Sequence, residues 1–240
     1  MYDLSQRQVE ILKNIVSEYI DTAEAVGSET LEKKYDLGVS PATIRNEMAD
    51  MVKLGYLAKP HSSSGRIPTS KALKLYVNEL MKKKEMSVAD EVEAKEKVWD
   101  LRGAESRFYR QLTKSLSQKT GTLAVATTHE GDIYFSGYSN ILDMPEFYDI
   151  DITKNLLSLL DDVTYFDTIL QRVENESAVL FGEEFDVELF RPYGFVFSKF
   201  ITRNQKQGSV GVVGPARLPY ELIVPCVRYY GHLVEELADW

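Results

Sequence analysis

The segment Ser40-Pro-Ala-Thr-Ile-Arg-Asn46 contains side chains that match the edges of DNA bases. An arginine such as Arg45 donates two parallel hydrogen bonds to guanine, and an asparagine such as Asn46 pairs with adenine. The methyl groups of Ala42 and Thr43 can contact the methyl group of thymine. An Arg-Asn pair on a surface helix is weak evidence by itself, so its meaning depends on the surrounding elements.

Residues 59–66, Lys-Pro-His-Ser-Ser-Ser-Gly-Arg, form a second polar segment with basic residues at both ends. Serine hydroxyls and glycine amides approach phosphates closely, and Arg66 could enter a minor groove or clamp the backbone. A plain surface hairpin is the alternative interpretation. The predicted DNA-contacting residues are Ser40, Ala42, Thr43, Arg45, Asn46, Lys59, His61, Ser62, Ser63, Ser64, Gly65 and Arg66.

The net charge of −9 is unevenly distributed along the chain. Residues 1–84 contain 13 Lys and Arg against 11 Asp and Glu, whereas residues 85–240 contain 15 against 26. Eight of the basic residues lie within residues 53–84, where Glu79 is the single acidic residue. A local positive patch attracts phosphate, while an acidic body favours solubility and disfavours non-specific binding. A merely solvated helix face is the alternative.

The elements that must position these residues are predicted to be helices followed by a hairpin. Ser5, Ser28 and Ser40 are N-cap signals for three successive helices. The third helix has inward residues with helical spacing, namely Ile44, Met48 and Met51. After Gly55, residues 56–58 and 66–68 are predicted as the strands of a basic hairpin. The sequence therefore predicts a winged helix-turn-helix domain over residues 1–81.

The remaining chain is predicted to be helical and then α+β. Residues 82–119 are charged and are predicted as a helical linker, which is a spacer, a dimer helix or both. From residue 120 onward, strand patterns alternate with helical ones. Residues 120–240 are therefore predicted as an antiparallel sheet with packed helices, serving regulation or dimerisation.

Length and composition are those of an ordinary globular protein. The 240 residues are 44% hydrophobic and 27% charged, enough for two domains. No apolar run reaches the ~18 residues of a membrane span, and the first residues lack the pattern of a signal peptide. The single cysteine, Cys226, excludes an internal disulfide framework and fits a reducing compartment. The predicted location is the cytoplasm.

Enzymatic chemistry is disfavoured by the residue pattern, and no cofactor or metal site is predicted. The three histidines are far apart in sequence, and no metal-ligand spacing, nucleophile elbow or phosphate loop is present. Cys226 lies on an apolar helix and is interpreted as a small core residue. A small-molecule effector pocket is the remaining alternative. Its candidate lining residues, which core packing also explains, are Tyr134, Phe135, Tyr138, Phe195 and Phe197.

Six segments resemble the heat-inducible transcription repressor HrcA family, and they occur in the right order across nearly the whole chain. The third and fourth are very specific in combination. The segments are Gln6-Arg-Gln-Val-Glu-Ile-Leu12, Val26-Gly-Ser-Glu-Thr-Leu31, Ser40-Pro-Ala-Thr-Ile-Arg-Asn46, His61-Ser-Ser-Ser-Gly-Arg-Ile-Pro-Thr69, Asn140-Ile-Leu-Asp-Met-Pro-Glu-Phe147 and Gly208-Ser-Val-Gly-Val-Val-Gly-Pro215.

The resemblance implies a winged helix followed by a GAF-like domain with a dimerising insertion. It implies a dimeric repressor of chaperone operons that binds an inverted-repeat operator and is kept active by chaperonin. Base or phosphate contact by Arg45, Asn46 and Arg66 agrees with this implication. One departure is clear, because only about 18 residues separate the strand at 123–126 from the Pro-Glu-Phe motif. The chain thus resembles a shortened member that lacks most of the central dimerising and GAF-like region, so dimerisation would have to move to the helix of residues 82–119 or to the sheet and last helix.

Overall fold

The structure, a computed structural model, describes residues 3–60, 65–173, 177–185 and 187–238. It divides into two units, residues 1–82 and residues 83–240. The first unit combines helices with a small hairpin, and the second combines helices with a five-stranded antiparallel sheet. The α+β class predicted from the sequence is confirmed.

Ser5 and Ser40 cap the first and third helices as predicted, whereas the second helix begins at Ser28 with Gly27 as its N-cap and no side-chain cap, so the prediction for Ser28 is wrong. Ser5 Oγ accepts a hydrogen bond from the Gln8 amide at 3.2 Å, and Gln8 Oε1 accepts one from the Ser5 amide at 2.9 Å. This reciprocal pair is the capping box. The elements are α1 (Gln6–Thr22), α2 (Ser28–Lys34), α3 (Pro41–Lys53), β1 (Leu57–Ala58), β2 (Ile67–Pro68), α4 (Ser70–Leu75) and a π-helical turn (Tyr76–Leu80).

An apolar stripe of α1 forms the centre of the first unit. Its members, Ile11, Leu12, Ile15 and Val16, are fully buried. The inward residues of α3, namely Ile44, Met48 and Met51, are also buried, and the two helices are in contact. Full burial of each such side chain contributes about 1.5–3 kcal/mol. This packing fixes the inner face of α3 and leaves the opposite face to solvent.

The second unit places its helices on both faces of the sheet. Its elements are α5 (Val88–Trp99), α6 (Glu105–Thr120), β3 (Leu123–Thr127), β4 (Ile133–Ser136), α7 (Tyr138–Leu142), a 3-10 turn (Pro145–Tyr148), α8 (Ile150–Asp161), α9 (Val163–Gln171), β5 (Ser177–Phe181), 3-10 turns (Gly182–Glu184 and Glu188–Phe190), β6 (Tyr193–Ile201), β7 (Gln207–Pro215) and α10 (Tyr220–Leu237).

The sheet has the strand order β4-β3-β7-β6-β5, and every neighbouring pair is antiparallel. Side chains alternate between the two faces of each strand. One face carries Leu123, Val125, Phe195 and Phe197, which form a buried cluster with residues of α8 and α9. Helices α6 and α10 pack against the sheet on the other face.

Residues 82–119, predicted as a helical linker, form α5 and most of α6. Both helices belong to the second unit, where α6 contacts β3, β4 and α10 and α5 contacts α6 and α10. The side chains of Phe108, Leu112 and Leu116 are fully buried. Helix α6 is thus packed against the sheet, and α5 packs against α6 and α10, so the region is part of the second unit. The division of the chain into functional domains stays a prediction.

The aromatic residues considered for an effector pocket have different surroundings. Phe195 and Phe197 are fully buried in the core cluster, and Phe135 packs against it. Tyr134 stacks on Tyr109 of α6, with ring centroids 5.5 Å apart, whereas Tyr138 is half-exposed. Tyr134, Phe135 and Tyr138 line a common pocket, whereas Phe195 and Phe197 are not part of it. Among the described residues, no helix is long and apolar enough to cross a membrane.

The Tyr230 hydroxyl makes a buried hydrogen bond, and the effect of its ionisation on stability can be measured at alkaline pH. Its hydroxyl lies 2.7 Å from Ser115 Oγ and joins α10 to α6. Burial raises the pKa of Tyr230 to about 12 from its usual 10. Because the folded state keeps this proton after the unfolded chain has lost it, stability should fall as pH rises from 10 to 12.

The Tyr230→Phe variant should therefore lose less stability than the unaltered protein in this pH window. The expected difference is about 2–3 kcal/mol in the free energy of unfolding, measured by urea titration at several alkaline pH values. An identical pH dependence of the two proteins would contradict the assignment.

Candidate nucleic-acid interface

The N-terminus of α3 is fixed by a side-chain cap. Ser40 Oγ accepts a hydrogen bond from the Thr43 amide at 3.3 Å and lies 3.1 Å from Thr43 Oγ1. Pro41 occupies the first helical position, where its lack of an N–H has no cost. The hydroxyls of Ser40 and Thr43 are therefore engaged with each other, and their first role is to hold the helix start.

The outward face of α3 presents the predicted base-reading residues together. Ala42, Arg45 and Asn46 are exposed, and their spacing of three and four residues places them on one face. In the described part of the chain, neither the Arg45 nor the Asn46 side chain has a hydrogen-bond or ion-pair partner. Two planar polar side chains thus stand within the first two turns of α3, where a recognition helix contacts base edges.

The cap at Ser40 can be tested by removing its hydroxyl. We expect Ser40→Ala to lower the free energy of unfolding by about 1 kcal/mol, because one amide at the helix start loses its acceptor. DNA affinity should fall only a few-fold, since the base-facing side chains remain. Urea titration and duplex binding measure the two effects, and a variant with unchanged stability would contradict the role of the cap.

The C-terminus of α3 ends in a left-handed residue that turns the chain into the hairpin. Gly55 has a φ of 78°. Its amide donates to the Val52 carbonyl at 3.1 Å, and the Tyr56 amide donates to the Met51 carbonyl at 3.0 Å. This is the Schellman motif, which satisfies the last carbonyls of a helix. The turn therefore sets where β1 leaves α3.

Two side chains connect the start of α4 to this turn. Thr69 Oγ1 donates to the Gly55 carbonyl at 2.8 Å and accepts from the Ala72 amide at 3.4 Å, so it caps α4 and holds the turn at once. Lys71 Nζ donates to the Leu54 carbonyl at 2.9 Å and lies 4.1 Å from the centre of the Tyr56 ring. The sequence indicated neither of these bonds to the turn.

The hairpin is a short wing whose base is held by the loop between α1 and α2. Leu57 pairs with Pro68, and Ala58 pairs with Ile67. The Arg66 amide donates to the Val26 carbonyl, and the Val26 amide donates to the Arg66 carbonyl, both at 2.9 Å. The loop between α1 and α2 therefore adds a third backbone segment to the wing.

Gly65 lies where this third segment comes closest. A Cβ atom added at Gly65 would lie 2.4 Å from the Val26 carbonyl oxygen and 2.8 Å from the Ala25 carbonyl oxygen. Real Cβ atoms do not approach backbone so closely. Gly65 is therefore required by the packing of the wing, whereas the sequence suggested a role for it at phosphate.

The remaining wing residues differ in exposure. Lys59 is exposed, and Arg66 is half-buried with Nη1 donating to the Gly65 carbonyl at 3.2 Å. The other wing residues predicted to contact DNA, His61, Ser62, Ser63 and Ser64, lie outside the described residues. Among the described wing residues, Lys59 is a cation exposed to solvent, and Arg66 is a half-buried cation at the base of the wing.

The basic patch of residues 53–84 is partly occupied by internal ion pairs. Lys53 lies 2.7 Å from Asp50, and Lys84 lies 2.6 Å from Glu221 within the second unit. Lys71 is engaged with the turn after α3, as described above. Exposed ion pairs of this kind are weak and can exchange for phosphate. Fewer than eight cations of this patch are therefore free of internal contacts and ready to contact phosphate.

An acid-base cluster joins α1 to the end of α2. The Lys34 ammonium lies 2.5 Å from the nearly buried Glu18 carboxylate, and the Tyr35 hydroxyl donates to Glu18 at 3.3 Å. The hydrogen bond to Glu18 raises the pKa of Lys34. Arg7 of α1 also lies 3.5 Å from Glu47 of α3. These contacts hold the three helices in fixed relative positions.

The groups considered for enzymatic chemistry are dispersed or buried. His129 lies 3.5 Å from Glu130, and His232 lies 3.3 Å from Glu235 on a different element. Burial raises the pKa of Cys226 to about 11, so its thiol is protonated at neutral pH. The described residues contain no group of three or more His, Cys, Asp or Glu able to hold a metal ion.

Two family models match the chain and together span most of it. Residues 3–85 match the winged helix-turn-helix transcription repressor, HrcA DNA-binding family. Residues 65–224 match the HrcA protein C terminal domain. The chain belongs to the HrcA family. The resemblance found in the six sequence segments is thereby confirmed.

Curated HrcA relatives match along both parts of the chain. A protein of Clostridioides difficile, named heat-inducible transcription repressor HrcA, is 48% identical over 126 residues, which are 52% of this chain and 37% of that protein. The protein of the same name from Clostridium acetobutylicum is 26% identical over 326 residues, covering 94% of this chain and 95% of the relative.

A crystal structure of a hypothetical protein at 2.2 Å resolution has a similar fold. Its TM-score is 0.79 at 20% sequence identity, and the match covers 99% of this chain and 98% of that chain.

The match to the relative from Clostridium acetobutylicum also shows how this HrcA chain is shortened. The alignment spans 326 positions but uses 94% of only 240 residues here, so about 100 positions of the relative have no counterpart. A shortened member was predicted from the short spacing before the Pro-Glu-Phe motif, and the shorter length is confirmed. That the absent positions are the central dimerising and GAF-like region stays a prediction.

Proposed function

We propose that this protein is a sequence-specific DNA-binding repressor of heat-shock chaperone genes. The observation that carries the proposal is the outward face of α3, where Arg45 and Asn46 are exposed and without described partners at a capped helix start. The relatives are named heat-inducible transcription repressors. Transcription repression is a non-enzymatic function.

Repression would act by occupancy of an operator. Each of two protomers inserts α3 into a major groove, and the wing contacts the flanking backbone through Lys59 and the segment that contains Arg66. A two-fold dimer matches an inverted repeat whose half-sites are one helical turn, or a multiple of it, apart. The bound dimer blocks RNA polymerase. The location in this proposal is the cytoplasm, where the chromosome lies.

Residues 1–81 would read DNA in this proposal, and the GAF-like region after residue 120 would carry regulation and dimerisation. Because the central insertion is largely absent, the protomers must associate through another surface. Mass measurement in solution tests the dimer. A monomer that binds one half-site as tightly as a full inverted repeat would contradict it.

Heat control would work through the marginal stability of the fold. A domain with about 5–15 kcal/mol of stability loses its folded population steeply on warming. Chaperonin would return the repressor to its folded state, and a shortage of free chaperonin during heat shock would release the operator. Undiminished operator affinity at heat-shock temperatures, with no effect of chaperonin, would contradict this control.

A genome-wide map of bound sites tests the proposed function directly. The unaltered protein should occupy inverted repeats upstream of chaperone genes, and Arg45→Ala should lose those peaks. Arg107→Ala is the matched control, because Arg107 is an exposed arginine on α6 of the second unit. Peaks that Arg45→Ala retains, or peaks without an inverted repeat, would contradict the proposal.

A further inference from the structure

The second unit contains a cleft between one end of its sheet and α9. Its volume is about 420 Å³, within the range of ~300–1,000 Å³ that is usual for small-molecule sites. The lining comes from β3, the following turn, β4, α9, β6 and β7, and every lining residue belongs to this unit. The cleft therefore lies within the second unit alone, whereas the proposed DNA-contacting residues belong to the first.

The floor of the cleft is a row of four residues in register. Ile133 pairs with Thr127, Thr127 pairs with Ser209, and Ser209 pairs with Lys199. Directly paired residues share one face of a sheet, so these four side chains form a line across β4, β3, β7 and β6. At about 4.8 Å between strands, the line is roughly 14 Å long.

The first end of this row is apolar. Phe166 and Leu170 of α9 line the cleft with Ile133, and the Phe166 ring lies 5.5 Å from the Phe135 ring of β4. Phe166 is thus placed at the β4 side, next to Ile133. This end of the cleft can accept a hydrocarbon or aromatic group, because aliphatic and aromatic side chains surround it.

The middle of the row supplies hydroxyl groups. Thr127 Oγ1 and Ser209 Oγ lie 2.8 Å apart in a buried hydrogen bond. A pair of hydroxyls contains two protons and uses one of them in the bond between them. The second proton can be donated to a ligand that occupies the cleft.

The other end of the row is cationic. Lys199 is exposed, and within the described ranges no carboxylate lies within 4.0 Å of its ammonium group. Lys199 is also the one charged residue among the described residues that line the cleft. The lining therefore changes from apolar to hydroxyl to cationic along a single direction.

We propose that this cleft binds a small monoanion with an apolar body, such as a medium-chain or aryl carboxylate. The carboxylate pairs with the Lys199 ammonium and accepts a hydrogen bond from the Thr127–Ser209 pair. The hydrocarbon part packs against Ile133 and Phe166. An extended chain of about eight carbons fits between Ser209 and Ile133, since two strand spacings of ~4.8 Å separate these residues.

Octanoate is the probe for this site, and calorimetric titration of the full chain is the measurement. Octanol and octylammonium are the matched probes, because they keep the apolar chain and change only the head group. We expect octanoate to bind and to raise the melting temperature, while both other probes bind several-fold more weakly. Lys199→Met should weaken octanoate binding by roughly three- to tenfold, because a single exposed ion pair is lost.

Lys154→Met is the control variant, because Lys154 is an exposed lysine of α8 that does not line the cleft. Octanoate binding should be the same in this variant as in the unaltered chain. Lys199 is exposed, so its substitution leaves the core intact. The proposal is overturned if millimolar octanoate does not bind, if octanol binds equally well, or if Lys199→Met binds octanoate as the unaltered protein does.

Discussion

Replacing Arg45 with alanine should abolish most of the sequence preference of the protein while leaving it folded. Arg45 is exposed on the outward face of α3 and has no described partner, so its removal disturbs no internal contact. A lost bidentate contact to guanine costs about 1–3 kcal/mol, so the affinity for the preferred duplex should fall roughly 10- to 100-fold per half-site. Fluorescence anisotropy with specific and scrambled duplexes measures the change.

The control for this prediction is affinity for scrambled duplex, which should change only a few-fold because one cation among several is lost. Asn46→Ala should lower specific affinity in the same way but relax the preference at a different base pair. Equal losses on specific and scrambled duplexes would assign Arg45 to phosphate. Unchanged affinity on both would remove α3 from the interface.

Replacing Gly65 with alanine should detach the base of the wing. The new methyl group would lie 2.4 Å from the Val26 carbonyl oxygen, which is backbone and cannot rotate away. The two hydrogen bonds between Val26 and Arg66 would have to break or shift. We expect the free energy of unfolding to fall by about 2 kcal/mol, and duplex affinity to fall at least tenfold because Arg66 is displaced.

Gly103→Ala is the matched control, because a Cβ atom there would meet nothing within 4 Å. This variant should have the stability and duplex affinity of the unaltered protein. Urea titration and anisotropy on both variants separate the two effects. A Gly65→Ala protein that is as stable as the control and binds DNA as tightly would show that the wing does not need this close approach.

Local signals made the first unit predictable from its sequence. Ser5 and Ser40 act on amides within three residues of themselves, and Gly55 acts on the end of its own helix. Such short-range effects depend little on the rest of the fold. The inward spacing of Ile44, Met48 and Met51 then fixed which face of α3 points outward. The base-facing residues followed from these two facts.

Contacts between residues distant in sequence were not predictable in the same way. The Val26–Arg66 bridge joins segments 40 residues apart, so the sequence assigned Gly65 to phosphate and missed its packing role. The bonds from Thr69 and Lys71 to the turn after α3 were missed for the same reason. Nothing local indicates which distant carbonyl a side chain will meet.

In the second unit, too, local patterns were predictable and contacts between distant residues were not. Strand patterns indicated an antiparallel sheet, but only the strand order places Ile133, Thr127, Ser209 and Lys199 in one row. Aromatic content suggested a pocket at Phe195 and Phe197, which instead fill the core. Residues 82–119 were predicted as a helical spacer, a dimer helix or both, whereas the structure packs α6 against the sheet of its own unit.

The most direct test of the central claim is the affinity of the purified full chain for duplex DNA over a series of salt concentrations. If about four to six cations per protomer meet phosphate in a dimer, log K against log[salt] should have a slope of about −7 to −11. Binding should be tightest at low salt and should prefer an inverted repeat. A folded chain that binds no duplex at low salt would contradict the claim that α3 and the wing form a DNA-binding surface.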